Sequence, residues 1–354
     1  MSESKFSASP TDGKEILRIL ESSAAKGSIE LLYTRRPDAY ESYMKEWGEA
    51  RVFVSRRGEN AIGTCAEIVR TLYIDGKPCK AAYVCGLKKD AEFAGNVGFG
   101  AEFIKGLYRD DIDFYYCSVV ADNRDAVKMF ERARRVISMK PFASYKTFIL
   151  NPRVRISAPK HAYVFRRATD GDGEDITRFL NNEGAKKDLF PVFEGAEGFY
   201  NLNYTDFYLL LDGERIIAAA ALWNQTPYKQ YVVKRYGRWM KAARLFNPLI
   251  SLFGYIRLPK ENAALDFPML SFFTCKDDSE RTARIFLKEI KKEIIKNYGM
   301  FVIGLPKDHF AYSLFDSLPA ISFETLLYEI SYPWSNKKIK PVDKTRIHPE
   351  CGLL

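Results

Sequence analysis

Apolar residues follow two periods along the first half of the chain, one typical of strands and one typical of helices. Runs of alternating or continuous apolar residues predict strands at 50–57, 61–74, 79–88, 113–120 and 142–150. Amphipathic stretches predict helices at 11–24, 37–47, 98–109 and 123–134. The turn signals RGEN at 57–60 and DGKP at 75–78 predict antiparallel hairpins between the middle strands. The pattern therefore predicts an α/β layer structure with a mixed sheet.

The second half of the chain repeats this order of elements. Helices are predicted at 171–183, 278–297 and 309–317, and strands at 206–212, 215–223, 267–275, 299–305 and 321–332. A linker is predicted near 151–161 and an inserted segment at 228–260. We therefore predict two α/β (α+β) domains, at 1–152 and 160–334, each with a mixed, mostly antiparallel sheet flanked by helices, and a polar tail at 335–354.

A short internal repeat supports two copies of one unit. Six residues recur at an offset of 160: Ala8, Asp12, Gly13, Ile16, Arg18 and Leu20 match Ala168, Asp172, Gly173, Ile176, Arg178 and Leu180. Both copies predict a short strand, a polar cap and an amphipathic helix. Coincidence is the alternative in so short a window.

Composition excludes several classes of protein. With 47% hydrophobic and 28% charged residues, the chain is typical of a soluble globular protein. No apolar run approaches the length of a membrane span, and the polar start MSESKFSASP does not resemble a signal peptide. The six cysteines form no CxxC pair, and there are three histidines. We therefore predict no metal site and a cytoplasmic location.

The net charge of +9 is concentrated in one segment. Between Lys229 and Lys260 there are eight Lys or Arg residues and no Asp or Glu, interleaved with Tyr, Trp and Phe. Such a segment suits nucleic acid or a membrane surface. The alternative is a solvated face or a lid, which we favour.

A cluster of glycines stands out between residues 91 and 103, where the chain reads AEFAGNVGFGAEF. Glycines just before a helix mark either a plain turn or a place where an anion approaches the free amides of the first helical turn. The stretch alone does not distinguish the two.

In its wider context this stretch resembles the GNAT N-acetyltransferase superfamily. YVCGLKKDAEFAGNVGFGAEFIKGL is similar to the family's fourth strand, acyl-CoA loop and following helix, and DFYYCSVVADNRDAVKMFER is similar to its fifth strand and the helix after it. The family's Asn-x-x-Ala-x-x-Leu-Tyr pattern corresponds here to Asn123, Ala126, Met129 and Phe130. The second half resembles the same fold in order, but the equivalent loop, CKDDSERTARIF, has no glycine. The resemblance implies a cofactor-binding first domain and a degenerate second domain.

The resemblance implies that acetyl-CoA lies beside the fourth strand and on the glycine loop. The implied cofactor-binding residues are Val84, Cys85, Gly86, Leu87, Gly95, Asn96, Val97, Gly98, Phe99, Gly100, Asn123 and Phe130. A backbone N–H near Leu87 would hold the transition-state oxyanion. Glu67, on the third strand, is the candidate base, with an exposed strand carboxylate as the alternative. Cys85 and Cys117 are interpreted as small core residues.

The sequence departs from the family pattern at two positions. The loop arginine or glutamine is replaced by Ala94 or Gly95, so one phosphate contact is lost or passes to a nearby Lys or Arg. Phe130 replaces the tyrosine that often protonates the leaving thiolate, and a phenyl ring cannot donate a proton. Tyr116 is the candidate substitute, with Tyr115 and Tyr145 as alternatives.

We predict an acetyl-CoA-dependent N-acyltransferase, an EC 2.3.1 type of enzyme, acting on an unidentified small-molecule or peptide amine. One alternative is a tandem module that binds acyl-CoA without turnover. The other is an aminoacyl-tRNA-dependent transferase that uses the basic segment, since tandem GNAT-like folds occur in such enzymes. In one tandem branch of the superfamily the terminal carboxylate reaches the catalytic cleft, and the apolar ending of RIHPECGLL makes Leu354 a candidate for that role.

Overall fold

The structure of the protein, a computed structural model, describes residues 6–25, 28–93, 106–123, 126–128, 131, 137–245, 256, 258–335 and 340–354. The strands are β1 (Ile29–Thr34), β2 (Glu49–Arg57), β3 (Asn60–Ile74), β4 (Lys77–Lys89), β5 (Phe114–Val120), β6 (Ser138–Leu150), β7 (Val164–Arg167), β8 (Phe207–Asp212), β9 (Arg215–Trp223), β10 (Gln230–Tyr236), β11 (Met269–Cys275), β12 (Phe301–Pro306) and β13 (Ala320–Ser331). The helices of the described residues are α1 (Gly13–Glu21), α2 (Ala39–Met44), α3 (Gly173–Gly184), α4 (Arg238–Leu245), α5 (Glu280–Asn297) and α6 (Tyr312–Asp316).

Eleven strands of the described residues form one continuous mixed sheet in the order β2-β3-β4-β5-β13-β6-β12-β11-β9-β8-β7. Most neighbours are antiparallel, while β4 with β5 and β11 with β12 are parallel. The hairpins predicted at 57–60 and 75–78 are confirmed, since β2 pairs with β3 and β3 with β4 in antiparallel register. The predicted α/β fold class, with a mixed and mostly antiparallel sheet, is therefore confirmed.

The last strands of the two halves lie side by side at the centre of the sheet. β13 pairs with β5 of the first half and also with β6, while β6 pairs with β12 of the second half. The strand beside β5 therefore comes from the second half, and the strand beside β12 comes from the first half. The domain limits 1–152 and 160–334 stay a prediction, because the strands on either side belong to one sheet.

The internal repeat has the same local structure in both copies. Ser9 and Thr169 are extended residues that begin a capping box with Asp12 and Asp172, and one turn of 3-10 helix leads into α1 and α3. Each carboxylate accepts the backbone N–H of its partner, at 2.8 Å in the first copy and 2.7 Å in the second. The repeated residues therefore encode a helix start.

Most predicted elements fall within a few residues of the observed ones, and two strands of the described residues were missed. β1 and β10 form a separate two-stranded sheet, so part of the segment 228–260 is a strand that pairs with the first half. The short strand predicted ahead of the second copy of the repeat is β7, which pairs with β8 at the sheet edge, whereas ahead of the first copy the described residues have one isolated bridge, Ser7 with Phe53. The helices predicted at 98–109 and 123–134 lie largely outside the described residues, although 106–107, 126–128 and 131 are helical.

The middle of the first half is buried on both faces. All of β3 from Ala61 to Arg70 is buried, which explains its long, nearly unbroken apolar run. Helices α1 and α2 cover one face of this sheet, with Ile16, Ile19 and Tyr43 packed on the strands. None of the described helices is long and apolar enough to cross a membrane.

Candidate active site

The two parallel strands of the first half, β4 and β5, separate inside the sheet. β4 pairs with β5 from Ala81 and Phe114 as far as Val84 and Cys117, and β4 then continues to Lys89. Beyond Val84 no described residue pairs with β4 on that side. The edge predicted to bind a cofactor, 84–87, therefore begins where a gap opens between two strands.

A β-bulge on β4 lies at this gap. Cys85 is opposite Ala66 and Lys88 is opposite Thr64, so Gly86 and Leu87 together face one residue of β3. Gly86 has a φ of +60°, and a Cβ atom there would lie 2.0 Å from the Tyr43 hydroxyl oxygen. Both the left-handed backbone and the close hydroxyl require glycine.

The second half has the same bulge at the equivalent place. Ser271 is opposite Ala221 and Thr274 is opposite Ala219, so one extra residue is present on β11, and Phe272 has a φ of +55°. β11 and β12 are joined by a single pair, Met269 with Val302, before they separate. The positive φ at Gly86 and Phe272 shows that the backbone has the same conformation at the two gaps.

The gap of the second half is occupied by the end of the chain. The backbone N–H of Phe272 donates to the Glu350 carboxylate at 2.6 Å, and the N–H of Gly352 donates to its other oxygen at 3.0 Å. The bulge therefore presents an N–H that binds a carboxyl oxygen. The residue at the equivalent position of the first bulge is Gly86.

The chain then runs from the second gap to the first. Arg70 on β3 donates to the Leu353 oxygen at 2.5 Å, and Lys229 donates to a Leu354 oxygen at 3.0 Å. Leu354 and Cys85 pack at the edge of the same apolar cluster. The last residue of the sequence thus lies between the two halves, on the side of the sheet that Cys85 faces.

A cluster of buried charged side chains lies beside Leu354. Glu46 lies 2.6 Å from Arg35, 3.2 Å from Arg70 and 3.8 Å from Lys229, and all four side chains are at most 4% exposed. Burial alone would raise the pKa of Glu46, but Lys229, Arg35 and Arg70 outweigh it and lower the pKa to about 2. The carboxylate is therefore charged at neutral pH, and the four residues carry a net positive charge.

Two side chains beside the cluster have polar groups without a hydrogen-bond partner among the described residues. The hydroxyls of Tyr43 and Tyr228 are both buried in this way. The Arg35 guanidinium lies over the Tyr43 ring, 3.9 Å from its centroid. Burial raises the pKa of Tyr43, so its hydroxyl stays protonated at neutral pH and is available as a donor at the Gly86 bulge.

Cys85 directly precedes Gly86 and packs in the same cluster as Tyr43, and it is not a thiolate at neutral pH. Burial raises its pKa to about 11, although Arg35, Arg70 and Lys229 oppose the shift. Cys117 is buried in a different cluster, and burial raises its pKa as well. Both observations agree with the interpretation of the two cysteines as packing residues.

Glu67 is buried and lies on the opposite face of β3 from Arg70, since residues three apart on a strand point to opposite sides. Two nitrogens of Arg51 lie 2.5 and 2.6 Å from its carboxylate, and Arg51 also donates to the Leu107 oxygen at 3.1 Å. Burial raises the pKa of Glu67 to about 7, and Arg51 opposes this. The alternative of an exposed strand carboxylate is wrong, and the structure does not bring Glu67 to the charged cluster.

The candidate acids are all buried. Tyr116 lies on the face of Arg70, 5.1 Å from the Tyr83 ring centroid, whereas the Tyr115 hydroxyl accepts the N–H of Arg109 at 2.6 Å on the other face. Tyr145 is packed against the C-terminal segment, where its hydroxyl is 3.4 Å from the Pro349 oxygen. Tyr116 and Tyr145 pack in one apolar cluster with Tyr83, over which Arg70 lies, so both share the face of Arg70, whereas Tyr115 does not.

The remaining predicted cofactor residues divide into two groups. The Asn123 side chain accepts the N–H of Ala126 at 3.1 Å, as an N-cap does. Gly95, Asn96, Val97, Gly98, Phe99, Gly100 and Phe130 lie outside the described residues. Just before the loop, an open cleft is lined by Lys14 and Arg18 and by the carboxylates of Glu21, Asp90 and Glu92, and Arg18 is paired with Asp90.

Sequence reasoning missed Tyr43, the charged cluster and Glu350. The cluster draws its members from β3 and three connecting segments, and Arg70 contacts a residue 283 positions away. No local spacing links such positions. The one signal present was the apolar ending after a polar tail, which drew attention to Leu354 alone.

Comparison with solved structures identifies the architecture. Two structures of Saccharomyces cerevisiae N-myristoyltransferase with bound myristoyl-CoA are similar to this chain, each with a TM-score of 0.57 and 8% identity. They are matched over 95% of this chain and over 81% and 86% of theirs. The chain has a tandem GNAT-like fold.

The predicted tandem GNAT-like fold is thereby confirmed. An Enterococcus faecalis V583 protein of unknown function, described as a probable N-acyltransferase, is also similar, with a TM-score of 0.48, 9% identity, and coverage of 92% of this chain and 71% of that one. No protein-family model and no curated protein matches the sequence.

Proposed function

We propose that the protein is an acyl-CoA-dependent N-acyltransferase that transfers an acetyl group to an amine, with the cofactor in the first half. The observation that carries the proposal is the gap between β4 and β5 with the Gly86 bulge at its mouth. A gap between parallel strands leaves backbone groups that the amides of a pantetheine arm can satisfy. The N-acyltransferases of similar fold, whose structures contain myristoyl-CoA, support the class of cofactor.

The oxyanion is assigned to the N–H of Gly86 in place of Leu87. In the second half the equivalent N–H, that of Phe272, already holds a carboxylate oxygen at 2.6 Å. A donor fixed by the backbone needs no reorganisation when negative charge develops on the thioester oxygen. Leu87 follows in the same bulge, so the earlier prediction differs by one residue.

Acyl transfer then proceeds by addition and elimination. The amine nitrogen attacks the thioester carbon, the new C–N bond forms, and the C–S bond breaks as the tetrahedral intermediate collapses. The amine must lose one proton, and the departing CoA thiolate must gain one. The site therefore needs an acceptor and a donor of protons on the same side as Gly86.

For the donor we favour Tyr43 over Tyr116, because its partnerless hydroxyl lies against Gly86. For the acceptor we favour Leu354 over Glu67, because its oxygen lies at the charged cluster while Glu67 is paired with Arg51 on the other face. The role requires a free carboxylate at Leu354, which the intact mass of the native protein checks. Removing the last four residues should then lower turnover without abolishing acyl-CoA binding.

The test of the function is calorimetric titration of the purified protein with acetyl-CoA and, separately, with myristoyl-CoA. Micromolar binding of either would support the proposal, and the tighter ligand identifies the acyl length. Gly98→Glu, in the predicted pyrophosphate loop, should abolish binding, whereas Gly58→Glu, at a hairpin turn with nothing within 4 Å of an added Cβ, should not. Absence of binding to both ligands would overturn the proposal. Binding without turnover in an amine screen would favour the degenerate module suggested by Phe130.

A second candidate is an aminoacyl-tRNA-dependent transferase. The observation that favours it is Trp239 on α4, which is 90% exposed and has the exposed cations Arg238 and Lys241 beside it. Aromatic rings among cations suit nucleic acid. Binding of tRNA that weakens steeply with salt and is lost in Trp239→Ala would support this function. A membrane surface would instead show binding to anionic vesicles.

A further inference from the structure

The end of the chain fills the gap of the second half. Residues 351–353 form a turn of 3-10 helix that packs on both β11 and β12, where these parallel strands separate. Gly352 lies so close to Trp223 and Ser271 that an added Cβ would be 2.7 and 3.1 Å from them. This gap is equivalent to the one proposed to hold the acyl-CoA arm in the first half.

The contact that closes the gap is made by a carboxylate. Glu350 is 5% exposed, and each of its two oxygens accepts a backbone N–H, one from β11 and one from the tail itself. The N–H of Phe272 belongs to the bulge, and its counterpart at Gly86 is the proposed oxyanion donor. The tail thus offers the second bulge a carboxyl oxygen, where by the proposed function a thioester offers its carbonyl oxygen to the first. Burial raises the pKa of Glu350, and the N–H groups of Gly352 and Phe272 oppose that shift.

Further bonds hold the tail on either side of Glu350. The N–H of Asp188 donates to the Arg346 oxygen at 2.9 Å, and the N–H of His348 donates to the Asp188 oxygen at 2.8 Å. Gln225 donates to the Gly352 oxygen at 2.8 Å. The segment is therefore bound along its length, and Leu353 and Leu354 extend from it toward Arg70 and Lys229.

We infer that residues 347–354 are a ligand in cis for the second copy of the site, and that Glu350 is the positioning residue that sets Leu353 and Leu354 at the first. The second half accordingly takes no acyl-CoA, because its gap and its bulge N–H are occupied. The effect on catalysis rests on the proposed function, whereas the docking of the tail does not.

The first test measures opening of the tail by alkylation of Cys351, which is 8% exposed, using iodoacetamide and peptide mass spectrometry. Glu350→Gln replaces one acceptor oxygen with an NH2 group that cannot accept, so one of the two N–H bonds is lost and alkylation of Cys351 should speed up about 10- to 100-fold. Cys275, on β11 and fully buried, reports global unfolding and should be alkylated at its wild-type rate. The matched control is Glu214→Gln, an exposed carboxylate in the turn between β8 and β9. An unchanged Cys351 rate, or equal acceleration at Cys275, would overturn the inference.

A measurement on the wild-type protein needs no variant to fold. Hydrogen exchange at the amides of Phe272 and Gly352 should occur in one opening event, because both donate to Glu350. If the amide of Gly352 exchanges far faster than the amide of Phe272, the Glu350 side chain does not hold the tail to β11, and the inference is overturned.

Activity provides a separate readout. If the protein transfers acyl groups, Glu350→Gln should lower kcat at least tenfold and leave the KM for acyl-CoA unchanged, because the first gap is intact. A change confined to KM would show that Glu350 does not position the reacting end. If no acyl transfer is found in the wild type, the proposed function fails while the alkylation and exchange results still decide the docking of the tail.

Discussion

Glu46→Gln tests whether one carboxylate makes the burial of three cations tolerable. The substitution keeps the shape of the side chain and removes its charge, leaving Arg35, Arg70 and Lys229 without an anionic side chain at the cluster. The pKa of Glu46 is about 2, against an ordinary value of 4.5, and this difference corresponds to about 3 kcal/mol of folding free energy at neutral pH. Breaking a buried ion pair from one side costs about 3–5 kcal/mol, which agrees.

The assay is urea unfolding at pH 7 and at pH 3, with Glu214→Gln as the control, which should change the free energy of unfolding by less than about 0.5 kcal/mol. Because the pKa of Glu46 is lowered by folding, its contribution is complete above pH 4.5 and is lost as the pH falls toward 2. The difference between wild type and Glu46→Gln should therefore shrink by about half at pH 3. A loss below about 1 kcal/mol at pH 7, or a difference that does not shrink in acid, would refute the reasoning.

Three further substitutions probe the first gap and its surroundings. Gly86→Ala and Gly58→Ala both place a side chain at a φ near +60°, but only the side chain at residue 86 meets a hydroxyl, that of Tyr43. In urea unfolding, Gly86→Ala should therefore lower the free energy of unfolding by about 1–3 kcal/mol more than Gly58→Ala does. Equal losses would contradict the contact with Tyr43. Tyr43→Phe should lower kcat about 100-fold while the melting temperature stays the same or rises, because a buried hydroxyl without a partner is removed; an unchanged kcat would exclude Tyr43 as the proton donor. Glu67 has a pKa raised to about 7, so the free energy of unfolding of the wild type should fall between pH 4.5 and 7, by up to about 3 kcal/mol. Glu67→Gln should remove this pH dependence. Parallel plots of unfolding free energy against pH for the two proteins would show that Glu67 does not titrate in that range.

The fold was largely predictable from the sequence because strand and helix periods are local. The long buried strand β3 and the hairpins around it follow from apolar runs and turn residues close together in the chain. β1 and β10 were not predicted, because each strand pairs with residues about 200 positions away and neither has a clear alternation of apolar and polar residues. Pairing at that distance depends on the whole fold and leaves no short pattern.

The candidate site was predictable only in part. The edge at 84–87 is predicted from a family resemblance, and the choice of Gly86 over Leu87 as the proposed oxyanion donor depends on which residue adopts a positive φ in the bulge. Glu67 was placed on the correct strand, and its partner Arg51 lies on the neighbouring strand, where it could not be inferred without the register. The assembly of Arg35, Glu46 and Lys229 requires the tertiary structure.

The exchange of the last strands also has a consequence for synthesis. Thr325 pairs with Val120, so β5 has no neighbour on that side until about 200 further residues have been made. At ribosomal speeds of about 5–20 residues per second, the delay is roughly 10–40 s. During that interval the nascent first half exposes a strand edge, the kind of surface that recruits other strands. A chaperone that covers exposed edges should therefore associate with the emerging chain and leave once β13 has been delivered.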